Sequence, residues 1–165
     1  MYGSFKAGVL TISDKGSRGE RVDESGKAAA DMLKDAGLDP VKTGIVPDNI
    51  RQIADTLIEW ADKEKLSLIV TSGGTGLSPT DLTPQAMREV IDYEVPGIAE
   101  AMRAESLKKT PHAVLSRAIA GVRGRCLIIN LPGSPRGVRE NLEVVIPALR
   151  HGLSKLAGDP SDCAT

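Results

Sequence analysis

Two aspartates and one glycine-rich segment are the parts of this 165-residue sequence best suited to chemistry. Residues 73–76 read Gly73-Gly74-Thr75-Gly76, and successive backbone amides without bulky side chains bind anions such as phosphate. Asp81 closes this segment, and Asp48 is a second candidate carboxylate. Mg²⁺ in proteins often takes one or two carboxylates together with substrate phosphates. These residue types therefore predict a site for a phosphorylated ligand, with Asp48 and Asp81 as metal ligands.

Each feature also has a purely structural explanation. The glycine segment can be a tight turn, and it matches neither a Walker A loop nor the GxGxxG fingerprint, because Pro79 stands where the third glycine would be. Asp48 directly precedes a predicted helix over residues 49–63, where Asp is a favoured N-cap. Asp81 lacks that explanation, since Thr83 fills the capping position ahead of Pro84.

A third candidate for phosphate binding is the start of the last helix. Ser134 stands where it can cap that helix, yet a helix N-terminus with free amides also binds phosphate. Other polar residues are equally ambiguous from sequence. His112 reads as an ordinary residue at the start of a strand, Ser106 as a solvated helix residue, and Ser116 with Arg117 as an exposed pair.

Apolar patterning shows which elements must position these residues. Short apolar runs predict buried strands, and stretches of 3.6-residue periodicity predict helices between them. The predicted strands are residues 7–12, 41–46, 66–71 and 126–130, with β character over 112–122 forming an edge hairpin near Gly121 and Gly124. The predicted helices cover residues 29–36, 49–63 and 83–91, a helix beginning at Pro96, and a long final helix that Pro147 kinks or divides.

The alternation of strands and helices predicts an α/β fold with a mostly parallel sheet between layers of helices. We expect a single domain over residues 1–158 and a flexible tail over residues 159–165. Ligands of such sheets bind beyond the carboxyl ends of the strands. Four places follow predicted strands directly: Ser13 with Asp14, Asp48, residues 73–81 and residues 130–135. Their convergence is the strongest indication of a site.

Composition excludes several other classes of function. The formal net charge is −1 and aromatic residues make up 2%, so the chain has neither the basic surface nor the stacking residues of a nucleic-acid-binding protein. No apolar run approaches the ~20 residues that span a bilayer, and no export signal is visible, which favours the cytoplasm. Two isolated cysteines, Cys126 and Cys163, and two histidines suggest neither zinc nor a disulfide framework.

Taken in order, the motifs resemble those of the MogA/MoaB family of molybdenum cofactor biosynthesis proteins, most closely the molybdopterin adenylyltransferases. The resemblance extends from residue 9 to the final helix. It rests on Ile45-Val-Pro-Asp48, Thr71-Ser-Gly-Gly-Thr-Gly76, Asp81-Leu-Thr-Pro84, Val95-Pro-Gly97, Leu115-Ser-Arg117 and Asn130-Leu-Pro-Gly-Ser-Pro135. It implies a three-layer α/β/α sandwich with a short antiparallel edge element, generally assembled as a homotrimer or hexamer.

The reaction that the resemblance implies joins ATP and molybdopterin to give adenylylated molybdopterin and pyrophosphate, with Mg²⁺ as cofactor and a molybdate-insertion protein as the downstream partner. Asp48 and Asp81 match the family's acidic catalytic positions. The matching pocket positions are Ser13, Asp14, Gly73, Gly74, Thr75, Gly76, Ser106, Ser116, Asn130, Gly133 and Ser134.

One departure concerns the cation that meets the triphosphate. Residues 77–80 contain no basic side chain, whereas some family members carry arginines there. Lys15, Arg18 and Arg136 are the substitutes that the sequence offers. Two other functions remain open at this stage. One is a MoaB-like module that holds molybdopterin without catalysis, and the other is a nicotinamide-dependent oxidoreductase, which the failed GxGxxG fingerprint disfavours.

Overall fold

Four parallel strands form the centre of the structure, a computed structural model that describes residues 3–163. The strands are β1 (Lys6–Ile12), β2 (Asp39–Val46), β3 (Leu68–Ser72), β4 (Tyr93–Glu94), β5 (Ala120–Arg123) and β6 (Cys126–Leu131). The helices are α1 (Asp14–Ser17), α2 (Glu24–Asp35), α3 (Ile50–Ile58), α4 (Thr83–Val90), α5 (Pro96–Leu107) and α6 (Pro135–Leu156). A π-helical turn, Glu59–Lys63, extends α3, and a 3₁₀ helix covers Pro111–Leu115.

The sheet has the order β2-β1-β3-β6-β5-β4. Strands β1, β2, β3 and β6 are parallel, and β5 and β4 pair in the antiparallel sense at one edge. Helices α2, α5 and α6 cover one face, and α3 with α4 covers the other. The predicted three-layer α/β/α sandwich with a mostly parallel sheet and an antiparallel edge is therefore confirmed. No helix in the described range 3–163 is long and apolar enough to cross a membrane.

Strands β1, β3 and β6 are buried on both faces, which explains their apolar runs, whereas the edge strand β2 alternates between exposed and partly buried residues. All five residues of β3 and all six of β6 are buried. Alternate side chains of β6 face opposite cores: Leu127 and Ile129 pack with α6, whereas Ile128 packs with α3 and α4. A sheet filled in this way has little room for a ligand on either face, so the loops at the strand ends are the available surface.

Two local predictions were wrong or incomplete. Residues 112–119 are not a strand, because Pro111 fixes a helical φ and Thr110 accepts a hydrogen bond from the backbone N–H of His112 at 3.3 Å, which together start the 3₁₀ helix. Pro147 does not divide the last helix, which is continuous over Pro135–Leu156. Pro147 lies on the exposed side of α6, where water can hydrate the carbonyl that it leaves without a donor.

The two cysteines lie in opposite environments, which leads to a first prediction. Cys126 is buried, and burial raises the pKa of its thiol to about 12, whereas Cys163 is exposed. Only a thiolate reacts readily with alkylating reagents. We expect the folded protein at about pH 8 to take up one equivalent of iodoacetamide at Cys163, and two equivalents after denaturation. Mass spectrometry of labelled peptides measures this, and modification of Cys126 in the folded protein would contradict it.

Candidate active site

The carboxyl ends of the four parallel strands bring the predicted site residues to one edge of the sheet. Backbone hydrogen bonds hold these loops together: Ser13 N–H donates to Val46 at 2.9 Å, and Gly73 N–H donates to Leu131 at 3.1 Å. The loop that follows each strand therefore begins in register with its neighbours. Residues far apart in sequence thus meet at one place, as the strand-end rule predicts.

Asp48 is held by its neighbour Asp14 through two reciprocal hydrogen bonds. The backbone N–H of Asp14 donates to Asp48 Oδ2 at 3.2 Å, and the backbone N–H of Asp48 donates to Asp14 Oδ1 at 2.9 Å. The alternative explanation of Asp48 as the N-cap of a helix was wrong, since Asn49 caps α3 by accepting from Gln52 N–H at 3.0 Å. The other carboxylate oxygen, Asp48 Oδ1, is therefore available to bind a ligand. The two bonds to Asp14 orient the Asp48 carboxylate.

Asp81 sits at the far end of the glycine-rich loop. Its Oδ2 accepts from Ser78 N–H at 2.9 Å, which fixes the carboxylate against its own loop. The predicted capping role of Thr83 was wrong: Leu82 is the N-cap of α4, without a side-chain hydrogen bond. The Thr83 hydroxyl is instead buried and donates to the Gly73 carbonyl at 2.8 Å, so it ties the start of the loop to the start of the helix.

The loop needs glycine at these positions because neighbouring atoms approach its backbone too closely for a side chain. Gly73 and Gly74 have φ values of +105° and +70°, and a Cβ at Gly73 would overlap the backbone oxygen of Ile12. A Cβ at Gly74 would lie 3.4 Å from Asp48 Oδ1, and a Cβ at Gly76 would lie 2.8 Å from Asp81 Oδ2. The loop therefore runs directly against both carboxylates.

Three successive amides of this loop are available to an anion. Within the described chain, the backbone N–H groups of Gly74, Thr75 and Gly76 donate to no protein acceptor. Their neighbours are engaged: Gly73 N–H donates to Leu131, and Ser78 N–H to Asp81. Unpaired backbone donors in a glycine-rich turn form an anion-binding concavity.

Two adjoining cavities contain most of the predicted residues. The rim cavity, about 700 Å³, is lined by Ser13, Asp48, Gly73, Gly74, Asp81, Gly133 and Ser134, with Thr11, Arg21, Asp23 and Ser25 also on its walls. The lateral cavity, about 440 Å³, is lined by Thr75, Gly76, Ser106, Ser116 and Ser134, with Met102, Arg103, Lys109, His112 and Arg136 among its other residues. Ser134 lines both, so the cavities adjoin at that residue.

Ser134 caps the last helix and also lies on the walls of both cavities. Its hydroxyl accepts from Gly137 N–H at 3.0 Å and so caps α6. The same residue lines both cavities at the helix N-terminus. Its backbone is held in place from α2, because the buried Ser25 hydroxyl donates to the Gly133 carbonyl at 2.6 Å.

Asn130 lies outside both cavities. It is fully buried; its Oδ1 accepts from Ile119 N–H at 3.3 Å and its Nδ2 donates to Thr71 Oγ1 at 3.1 Å. These bonds link β6 to β3 and to the residue before β5. This placement favours a positioning role for Asn130 over direct contact with a ligand.

The cations proposed from sequence are mostly engaged elsewhere. Arg18 pairs with Glu20 at 2.9 Å on the surface, and Arg136 pairs with Glu140 at 2.8 Å beside the lateral cavity. Lys15 lines neither cavity. The basic residue on the wall of the rim cavity is Arg21, which no motif indicated.

Two other residues escaped the sequence analysis. Asp23 caps α2 by accepting from Gly26 N–H at 2.8 Å and also accepts from the Thr11 hydroxyl at 2.7 Å, so it forms part of the rim cavity wall. The spacing of Asp23 ahead of a helix was a signal that could have found it. His112 was expected at a strand start and instead lines the lateral cavity from the 3₁₀ helix.

The electrostatics at Asp48 favour a cation. Burial raises the pKa of the Asp48 carboxyl above its ordinary value near 3.8, and the negative charges of Asp14 and Asp81 raise that pKa further, while the hydrogen bond from the Asp14 amide opposes them. Neither Asp48 nor Asp81 forms an ion pair with a lysine or arginine in the described part of the chain. Repelling carboxylates without a positive partner are a setting that a divalent cation relieves.

The residues fit Mg²⁺ only in combination with a substrate. Residues 3–163 contain no group of three or more His, Cys, Asp or Glu side chains that could hold a metal by themselves. Asp48 and Asp81 supply one or two carboxylates, and Mg²⁺ commonly completes its coordination with water and substrate phosphates. The arrangement therefore suits a metal that arrives with a phosphorylated ligand.

The raised pKa of Asp48 leads to a stability prediction. Because folding favours the protonated carboxyl, the charged form lowers the free energy of unfolding at about pH 7, and this penalty fades as the pH falls through the raised pKa toward 3.8. We expect Asp48→Asn, which keeps an acceptor for the Asp14 amide, to be slightly more stable than wild type near neutrality. Urea unfolding at about pH 7 and pH 4.5 measures this, and a difference that grows on acidification would contradict it.

Residues 8–151 match the family described as "Probable molybdopterin binding domain". A curated relative, the molybdopterin adenylyltransferase of Helicobacter pylori strain J99, is 43% identical over 154 residues, which cover 92% of this chain and 88% of the relative.

Two solved structures extend the likeness to the fold. MoaB, a molybdopterin biosynthesis enzyme of Thermus thermophilus, is 53% identical with a TM-score of 0.89, and the match covers 96% of this chain and 99% of that one. The Mog protein of Mycobacterium ulcerans is 39% identical with a TM-score of 0.87, covering 93% and 99% of the two chains.

Proposed function

Because the chain belongs to the molybdopterin-binding-domain family of molybdenum cofactor biosynthesis, we propose that it is a molybdopterin adenylyltransferase, which transfers the adenylyl group of ATP to molybdopterin and releases pyrophosphate. The observation that carries this proposal is the glycine-rich loop, whose three available amides begin at Gly74 in the rim cavity, beside Asp48 and Asp81, and continue along the wall of the lateral cavity. Enzymes that transfer phosphoryl groups use anion-binding amides beside carboxylates, because their catalysis consists mostly of positioning and charge stabilisation.

In this proposal the rim cavity holds the phosphates of ATP. The amides of residues 74–76 stabilise negative charge at the reacting phosphate and on the departing pyrophosphate. Asp48 and Asp81 would hold Mg²⁺, which neutralises charge on the phosphate oxygens. Arg21 is the side chain of the rim cavity wall that can complement the remaining negative charge. These groups account for the catalysis without a basic residue in residues 77–80.

The nucleophile in this reaction is the terminal phosphate of molybdopterin. Its second pKa is about 6, so it is largely ionised near neutrality and needs no general base. One of its oxygens attacks the α-phosphorus of ATP; the new P–O bond forms as the bond to pyrophosphate breaks. Consistent with this, no histidine lines the rim cavity. The residues around the α-phosphate therefore act by orientation and by charge.

The lateral cavity extends the site and is suited to a ring of the ligand. Met102, Ala99 and Ala118 give it an apolar floor, while Ser106 and Ser116 provide polar atoms along it. Because Ser134 lines both cavities, a ligand with phosphate in the rim cavity can place a ring in the lateral cavity. Pockets of this kind orient a ligand through a few polar groups on mostly apolar walls.

Family membership also supports three proposals beyond the site. We propose assembly as a homotrimer or hexamer, transfer of the product to a molybdate-insertion protein, and action in the cytoplasm. Size-exclusion chromatography with light scattering measures the first of these.

The experiment that tests the proposed function incubates the purified protein with molybdopterin, ATP and Mg²⁺ and measures adenylylated pterin and pyrophosphate. We expect equal amounts of both products, and none when molybdopterin or Mg²⁺ is left out. A protein that binds molybdopterin but consumes no ATP under these conditions would instead be the MoaB-like binding module. Measuring pterin binding by fluorescence in the same preparation separates that outcome from a protein that is simply inactive.

A further inference from the structure

Arg117 makes an unusual set of contacts with the glycine-rich loop. Its Nε donates to the Gly76 carbonyl at 2.8 Å, and its Nη2 donates to the Asp81 carbonyl at 2.6 Å. Its Nη1 donates to Gln85 Oε1 in α4 at 3.2 Å, and its own backbone N–H donates to the Thr75 carbonyl at 2.9 Å. All three guanidinium nitrogens are therefore used, and none of the acceptors is a charged carboxylate.

These contacts join the two ends of the loop. Gly76 carries the last of the available amides, and Asp81 carries the carboxylate, so one side chain spans the segment between them. Residues 73–82 lie outside any helix or strand, and a loop of that kind is ordinarily mobile. The planar guanidinium of arginine holds several acceptors in a fixed geometry, which the ammonium group of lysine cannot reproduce.

The base of Arg117 is itself held firmly. On either side of it, the carbonyls of Ser116 and Ala118 accept from Arg103 Nη1, at 3.4 and 2.8 Å. Asn130 Oδ1 then accepts the backbone N–H of Ile119, which joins this segment to the buried centre of the sheet. A rigid support of this type is what keeps a ligand-binding constellation in its productive geometry.

We propose that Arg117 is a positioning residue, which sets the distance between the anion-binding amides of residues 74–76 and the carboxylate of Asp81. The inference rests on the proposed function, since it assigns Arg117 to the placement of Asp81 for the metal and triphosphate. Arg117 contacts carbonyl oxygens of the loop, so it acts through the loop and not on the substrate. Its loss displaces Asp81 relative to the amides without removing any ligand-binding group.

Three variants test this role. Arg117→Lys keeps the charge but not the fork of donors, Arg117→Met removes both, and Arg123→Met is the matched control. Arg123 also donates to a backbone carbonyl, that of Val90 at 2.9 Å, at the end of α4 opposite the loop, and it pairs with Asp62 of the π-helical turn. Arg123→Met should therefore lower the stability of the protein without changing the candidate active site.

We expect Arg117→Met to lower kcat ~100-fold and Arg117→Lys ~10-fold, because a misplacement of about 1 Å at a catalytic group can cost ~100-fold in rate. The KM for molybdopterin stays within about threefold, and the Mg²⁺ concentration for half-maximal rate rises. Arg123→Met keeps kcat within about twofold of wild type. Equal kcat in wild type and both Arg117 variants, or an equal loss in Arg123→Met, would overturn the proposal.

A second readout needs no turnover. Hydrogen–deuterium exchange of the hydrogen-bonded amides of the loop, those of Ser78, Asp81 and Thr83, should be at least ~10-fold faster in both Arg117 variants than in wild type, and unchanged in Arg123→Met. Mg²⁺-dependent binding of a non-hydrolysable ATP analogue should weaken in the Arg117 variants alone. If wild type transfers no adenylyl group, the proposed function fails, while loop exchange and analogue binding still decide the role of Arg117. Unaltered exchange in both Arg117 variants would refute it.

Discussion

Replacing Asp81 by asparagine is expected to lower the rate of adenylyl transfer at least ~100-fold, equivalent to about 2.7 kcal/mol of transition-state stabilisation. The substitution keeps an oxygen that can accept from Ser78 N–H, so the loop retains its hydrogen bond while the negative charge is lost. An amide oxygen is a much weaker ligand for Mg²⁺ than a carboxylate. Steady-state kinetics at saturating ATP, with Mg²⁺ varied, measure the loss.

Asp48→Asn is expected to cause a similar loss, because its free Oδ1 lies beside Gly74 on the wall of the rim cavity. The matched control is Asp92→Asn. Asp92 also accepts a backbone N–H, from Gly124 at 2.7 Å, but it lies outside both cavities. We expect the control to retain nearly full activity. Rates within about fivefold of wild type for both Asp48→Asn and Asp81→Asn would show that these carboxylates do not hold the metal.

The second large effect is expected for Gly73→Ala, which should lower the free energy of unfolding by about 3 kcal/mol. Its φ of +105° disfavours any residue with a Cβ, and that Cβ would overlap the backbone oxygen of Ile12. A left-handed conformation costs about 1–2 kcal/mol and overpacking about 1–3 kcal/mol. Because Ile12 belongs to β1, relief of the overlap must shift the loop or the strand, so adenylyl transfer falls as well.

Gly124→Ala is the control that separates conformation from overlap. Gly124 also has a positive φ, +57°, but a Cβ there meets no atom within 4 Å. We expect a loss of only about 1 kcal/mol and full activity, because the turn is remote from both cavities. Urea unfolding gives both free energies. A loss for Gly73→Ala no larger than that of the control would mean that the loop adapts easily.

The sequence predicted the sheet and the location of the site for the same physical reason. Strands buried on both faces appear as unbroken apolar runs, such as residues 126–129, and parallel strands place their following loops at one edge. Asp48, residues 73–81 and Ser134 were therefore identified as neighbours without knowledge of their contacts. The structure brings all three to the rim cavity.

Local capping was harder to predict because adjacent residues compete for it. Asp48 and Asn49 are both favoured N-caps, and the choice depends on backbone geometry that only the fold determines. Asn49 adopts the extended conformation, φ −136° and ψ 119°, and caps α3. The reciprocal bonds between Asp14 and Asp48 join residues 34 positions apart. No periodicity in the sequence reports such a pair.

The role of Arg117 was invisible for a similar reason. Its acceptors Gly76, Asp81 and Gln85 lie 41, 36 and 32 positions earlier, and two of them are backbone carbonyls, which any residue supplies. The 3₁₀ helix before Arg117 was likewise mistaken for a strand, since its short apolar run Ala113-Val114-Leu115 fits both elements. The local signals at Thr110 and Pro111 decided the structure of this segment, and the apolar pattern did not.

The most direct measurement follows the α- and γ-phosphates of ATP in a single turnover. The purified protein is mixed with molybdopterin, Mg²⁺ and ATP labelled either at the α- or at the γ-phosphate, and the products are separated. We expect the α-label on the pterin and the γ-label in pyrophosphate, in equal amounts. An α-label that stays in ATP, or that appears as free AMP while the pterin is unlabelled, would contradict adenylyl transfer by this site.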